Sequence, residues 1–238
     1  ALSGRSHPEP SLTGIPFPNI DPVALQIGPI AIRWYALGYV FGLFGGLLYA
    51  KRLAANEALW GGIRRPTAAD LDDLLLYATL GVIVGGRLGY VMFYQTDYFW
   101  AKPLEILSIW SGGMSFHGGF AGTVIAMVLF ARARGLPILS LFDLIGTVAP
   151  IGLFLVRIAN FINGELWGRP TDMPWGVVFP HGGPVARHPS QLYEAATEGL
   201  LLLIVLALVS RSGGYKRPGL VAGLFGAGYA AARIFCEF

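Results

Sequence analysis

The residues most able to do chemistry in this chain are arginines set where charge is costly. The stretch Arg157 to Trp167, RIANFINGELW, puts an arginine and two asparagines, Asn160 and Asn163, into the closing turns of an otherwise apolar helix. An Arg at the centre of a membrane-spanning helix costs roughly 2.5 to 3.5 kcal/mol on the insertion scale, so such a residue usually faces a cavity or a partner, here expected to be an anionic ligand. Arg157 and Asn160 are three apart and share a helix face; Tyr229 and Arg233 are four apart and share another. Guanidinium stays charged and offers a planar fork to phosphate oxygens, so two arginines can meet one phosphate.

Those residues need elements to hold them, and composition decides which kind. Of 238 residues, 54% are hydrophobic and 13% charged, with a mean hydropathy of +0.58. That is far more apolar than the soluble average, and predicts an all-α integral membrane protein. Six segments can each span a hydrocarbon core of about 30 Å: Ile30 to Ala50, Leu71 to Tyr94, Phe116 to Ala131, Leu139 to Ile162, Leu192 to Val209 and Leu220 to Phe235. The expected architecture is a polytopic bundle of six transmembrane helices over 30–238. Residues 1–29 are an external, Pro-rich segment without the pattern of a cleavable signal peptide.

Loop charge orients the bundle. Lys51, Arg52, Arg64 and Arg65 fill the first loop, Arg132 and Arg134 the third, and Arg211, Lys216 and Arg217 the fifth. The second has Lys102 beside Asp97 and Glu105. The positive-inside rule makes the odd loops cytoplasmic. The N-terminus and the even loops then face outward, and the fourth, 163–189, is long enough for a small external cap. With 1.5 Å of rise per residue, the polar groups gather toward the outer leaflet: Trp34, Tyr35, Arg87, His117, Arg157, Asn160, Gln191, Glu194, Tyr229 and Arg233. Asp143, near the inner side, is expected to cap or anchor the fourth span. Gly81, Gly85 and Gly89, with Gly118 and Gly122, and Gly219 with Gly223, form ladders that let helices approach closely.

Several function classes are disfavoured. The 17 basic residues are scattered over short loops and make no nucleic-acid face. A single cysteine, Cys236, gives no disulfide framework or CxxC site. Gly226, Gly228 and Ala231 match a dinucleotide fingerprint, but no strand precedes them. HExxH, Walker and GxSxG motifs are absent, so no metal or nucleotide cofactor is implied. A transporter remains the alternative, although its path needs polar groups on both sides. An intramembrane protease would have only Ser115 and His117.

The strings HGGFAG from His117, RIANFINGELWGRPTDMPWGVVFP from Arg157, RHPSQLYEA from Arg187 and YAAARIFCEF from Tyr229 closely resemble the prolipoprotein diacylglyceryl transferase family. GGRLGYVMFY around Arg87 and RWYALGY around Tyr35 look like two further blocks, and the likeness runs from about Pro16 to Glu237. The resemblance implies a bacterial inner-membrane enzyme working toward the outer leaflet. It would move the diacylglyceryl group of phosphatidylglycerol to the lipobox cysteine thiol of a prolipoprotein, forming a thioether and releasing glycerol phosphate. The family pattern continues into a further membrane helix, so a seventh span is implied beyond the six.

By the same resemblance, His117 is the expected base for the thiol, a task that suits an imidazole titrating near neutral pH. Arg157 and Arg233 take the phosphate. Asn160 meets glycerol hydroxyls or an arginine, Glu165 orients an arginine or glycerol, and Gly168 allows close backbone approach. Tyr35 and Tyr229 line the cavity, and Arg87 and Asn163 complete the substrate-binding set. Plainer roles stay open. Trp34 and Tyr35 suit an interfacial aromatic belt, His117 a helix cap, and Arg87 a bridge to Glu194 or Glu198. Asn163 and Gly164 suit a helix stop, Arg157 and Arg233 snorkelling to the interface, and Cys236 packing.

Overall fold

The computed structural model describes residues 14–237. In chain order they form β1 (Ile15–Pro16), β2 (Val23–Ile27), β3 (Ile30–Arg33), α1 (Trp34–Ala55), α2 (Ala68–Phe93), α3 (Thr96–Ala101), α4 (Phe116–Arg134), α5 (Ile138–Ile162) and β4 (Val177–Val178). α6 (Ser190–Glu194), a π-helical segment (Ala195–Leu201) and α7 (Leu202–Arg211) follow as one continuous rod, and α8 (Leu220–Glu237) closes the chain.

Among the described residues five helices are long and apolar enough to cross a membrane: α2, α4, α5, the rod Ser190–Arg211 and α8. This is a polytopic membrane protein. The expected first span behaves differently. Its opening residues, Ile30 to Arg33, pair antiparallel with β2 instead of joining the helix. Gly28, at φ +57°, and Pro29 form the two-residue turn between them. Proline fixes a negative φ at the second turn position, which leaves a type II′ turn with glycine first. The helix starts only at Trp34, ends its last turns with Lys51 and Arg52, and is not among those five.

The chain folds as two compact units. Among the described residues one comprises 14–46, Val148–Leu206 and 225–237; the other comprises Leu47–Thr147 and Ala207–Leu224. In the second, α2 packs on α4 through the expected glycine ladder. A Cβ built on Gly85 would lie 2.3 Å from the Gly118 carbonyl oxygen, and one on Gly122 would lie 2.1 Å from that of Gly81. Gly223 makes no such approach, since a Cβ there meets nothing within 4 Å. Thr67 and Asp70 form a reciprocal capping box at the start of α2. Asp143 anchors α8 and not its own helix: its carboxylate accepts from the amides of Gly219 at 2.7 Å and Ala222 at 2.8 Å, two donors that a helix start leaves unpaired.

In the first unit α1 meets α5 at Gly42, where a Cβ would stand 2.9 Å from the Gly152 Cα. α5 meets the π-helical segment at Gly199, whose Cβ would stand 2.6 Å from that of Phe154. The segment 163–189 is tied by a parallel β1–β4 pair and by bridges from Arg187 to Pro170 and Val177.

Candidate functional site

Arg157 on α5 and Arg233 on α8 converge on the same carboxylates. Arg157 Nη1 lies 2.9 Å from Glu194 Oε2, and Arg233 Nη1 donates to the other oxygen, Glu194 Oε1. Glu198, whose side chain is 0% exposed, lies 3.3 Å from Arg157 Nη2 and 3.6 Å from Arg233 Nη1. Arg233 also reaches Glu237 at 3.3 Å. Glu194 ends α6 and Glu198 sits in the π-helical segment. π turns are uncommon and recur at functional sites. The four buried or half-buried groups balance, two positive against two negative, which is the usual condition for burying charge.

Arg157, Arg233 and Glu194 line a cavity of about 580 Å³ together with Trp167, Gly168, Arg169, His188 and Cys236. Its rim is held in an uncommon backbone conformation. Leu166 has φ +58°, the one left-handed non-glycine residue described, and follows Gly164 at φ +64°. Such residues persist only where surroundings over-determine them. Ser190 Oγ donates to the Leu166 carbonyl at 3.2 Å, and the Gln191 side-chain amide donates to that of Glu165. Gly168 is close to its own chain: a Cβ there would meet His188 Cβ at 3.0 Å and Ser190 Oγ at 3.3 Å. Next to Gly168, His188 Nδ1 lies 3.1 Å from the Tyr193 hydroxyl, which accepts from Trp175 Nε1 at 2.7 Å.

Asn160 and Asn163 both donate to Glu165 Oε1, at 2.9 and 3.4 Å, so the three form one polar unit at the end of α5, the helix that carries Arg157. Asn163 and Gly164 also end α5, as a helix stop would. The Tyr35 hydroxyl lies 3.3 Å from that of Tyr39. Neither Tyr35 nor Tyr229 lines the cavity. Tyr229 shares the α8 face of Arg233, but its ring stacks on Phe225 one turn back, whereas the cavity opens along Phe235 to Glu237.

Arg87 and His117 belong to the other unit. Arg87 donates to the carbonyls of Glu105, Ile106, Gly112 and Gly113, at 2.6 to 3.2 Å, and so pins the segment between α2 and α4. Four carbonyls nearly saturate the five donors of a guanidinium, which leaves little for direct substrate binding. In that segment the Tyr98 hydroxyl bonds Glu105 and holds its carboxyl below the usual range. His117 is exposed, with an edge contact to Phe116 at 5.6 Å between centroids. It is not the cap of α4: Ser115 Oγ takes that place, accepting from the Gly118 amide at 3.2 Å.

Sequence reasoning missed the glutamates as the arginines' partners, and it missed His188, Tyr193 and Cys236 at the cavity. The available signal was charge balance, since two intramembrane arginines call for two acids and Glu194 and Glu198 stand four apart on one apolar helix. Among the described residues no three His, Cys, Asp or Glu side chains gather to hold a metal.

Residues 22–238 match the model of the family described as prolipoprotein diacylglyceryl transferase. Curated relatives carry the name phosphatidylglycerol–prolipoprotein diacylglyceryl transferase. One from Rhizobium leguminosarum is 60% identical over 94% of this chain and 80% of its own length. One from Nitrobacter winogradskyi is 60% identical over 94% and 78%, and one from Rhizobium meliloti 57% over 94% and 81%. With likeness of that depth along nearly all of its length, the chain belongs to the prolipoprotein diacylglyceryl transferase family.

Proposed function

We propose that the chain transfers the diacylglyceryl group of phosphatidylglycerol to the lipobox cysteine of a prolipoprotein. The thiolate attacks the glycerol carbon of the donor, an S–C bond forms, and the C–O bond breaks with its electrons passing to the phosphate oxygen. Glycerol phosphate leaves. The observation that carries this reading is the convergence of Arg157 and Arg233, from two helices, on one anionic group at a cavity wall. A carboxylate whose two oxygens each meet one guanidinium nitrogen, from a different arginine, has the charge and spacing of two phosphate oxygens. Donors already aimed at the leaving oxygen lower the barrier without reorganising.

The other roles follow from chemistry. An unperturbed thiol has a pKa of about 8.5 and only its thiolate attacks well, so deprotonation needs a base, and His117 fills that role. Asn160 and Asn163, held to Glu165, meet the glycerol hydroxyls. Tyr35, Tyr229 and Gly168 shape the approach, and Arg87 acts at one remove by fixing the segment it pins. α1 makes a sixth span, 1–29 and 163–189 lie outside, and the reaction takes place toward the outer leaflet of a bacterial inner membrane.

Purified chain, phosphatidylglycerol and a lipobox peptide test the reaction by mass spectrometry. The cysteine peptide should gain one diacylglyceryl group while its serine counterpart gains none. Modification of both peptides, or of neither, contradicts the reading.

A further inference from the structure

The arginine pair is already neutralised before any donor enters. Glu194 gives one carboxylate oxygen to each arginine, and Glu198, fully buried, lies against both. A phosphodiester brings a further negative charge. Like charges held close in a site of low dielectric repel strongly, so a phosphate added beside the neutral pair is opposed by the carboxylates already there. One carboxylate has to yield. Glu194 is the one that faces the cavity, whereas Glu198 does not line it. Glu194 also stands where α6 gives way to the π-helical segment, a break in the regular hydrogen-bond ladder.

We infer that Glu194 is an internal stand-in for the donor phosphate, a positioning residue that competes with substrate and product for Arg157 and Arg233. With the cavity empty it holds both forks in the geometry a phosphate needs. When phosphatidylglycerol enters, the carboxylate swings off the forks and the phosphate takes its place. After the C–O bond breaks, the leaving glycerol phosphate carries more charge than the diester did, and two free arginines would retain it. Re-pairing of Glu194 displaces it and restores the empty site. The charged and titratable neighbours are Arg157 from α5, Glu198 from the π-helical segment, Arg233, Cys236 and Glu237 from α8, and Arg169 and His188 from the segment 163–189. This inference rests on the phosphate reading of the two arginines.

The test is a kinetic comparison of the purified protein with Glu194→Gln and Glu194→Asp, varying phosphatidylglycerol and adding glycerol phosphate as product inhibitor. Glutamine keeps the shape and removes the charge that competes. KM for phosphatidylglycerol should fall, the inhibition constant for glycerol phosphate should fall by about tenfold, and kcat should drop as release becomes limiting. Aspartate keeps the charge on a shorter arm and should shift inhibition in the same direction by less. It carries the test alone if the glutamine protein does not fold. A purely structural role predicts a raised KM with unchanged product inhibition, and that result overturns the inference. Arg157→Lys, in which glycerol phosphate binding is measured directly by calorimetry, separates the two levels. If it binds glycerol phosphate as tightly as the unaltered protein, phosphate does not bind the arginines and the phosphate reading of the pair falls too. If binding is lost there but inhibition is not strengthened in Glu194→Gln, only the stand-in role falls.

Discussion

Two guanidinium groups in an apolar helical protein are tolerable only because each has buried acid partners. Removing one member of such a set leaves the others uncompensated. Arg233 lies at the cavity wall beside Glu194, so Arg233→Ala should lower transfer by about 10²–10³-fold, the range for losing one preorganised donor to a developing oxyanion. Normal turnover of phosphatidylglycerol by that variant would remove the two-arginine site. His117 has a separable task. His117→Gln should keep lipid binding and lose about 10²–10⁴-fold in rate, as expected for a missing general base. Its rate should climb with pH toward the thiol pKa, because solvent then supplies thiolate. A wild-type pH profile at near wild-type rate, or loss of lipid binding, assigns the histidine to another role. The arginines were legible in the sequence because burying them is costly. The partnership of Glu194 and Glu198 was less so: their four-residue spacing places both acids on one helix face but does not say which arginines that face meets.

At the scale of elements, the α2–α4 contact is set by glycine and was readable from four-residue spacing alone. Gly85→Val would drive a side chain into the Gly118 carbonyl, 2.3 Å from where its Cβ must lie. Overpacking of this kind typically costs about 1–3 kcal/mol, and more where backbone must move. The variant's thermal unfolding midpoint in detergent should fall by several degrees, and an unchanged midpoint would mean the helices are not held this closely. The β2–β3 hairpin was not legible, because Ile30 to Arg33 merges with the apolar run that follows, and a hydropathy window cannot separate a strand from a helix start. The π-helical segment Ala195–Leu201 has no sequence signature, yet it places Glu198. The hydrogen-bond partners of Arg87 were not legible for a related reason. They are main-chain carbonyls about twenty residues away, and no side-chain pattern announces them.

For the whole molecule, apolar composition and basic odd loops led to a helical membrane protein, and five helices meet the length and apolarity for crossing. Orientation has its own test. In intact spheroplasts a membrane-impermeant maleimide should label Asp172→Cys, in the segment 163–189, and should reach Glu57→Cys, in the first loop, only after permeabilisation. The reverse pattern would invert the assignment. The central claim is that Arg157 and Arg233 together grip the donor phosphate during diacylglyceryl transfer. Its most direct measurement is the steady-state rate of thioether formation by Arg157→Lys, with phosphatidylglycerol and a lipobox peptide, read by mass spectrometry against the unaltered protein. Lysine keeps the charge but cannot present a planar fork to two oxygens. Transfer should be largely abolished; near-normal turnover by Arg157→Lys would contradict a two-arginine grip on the phosphate.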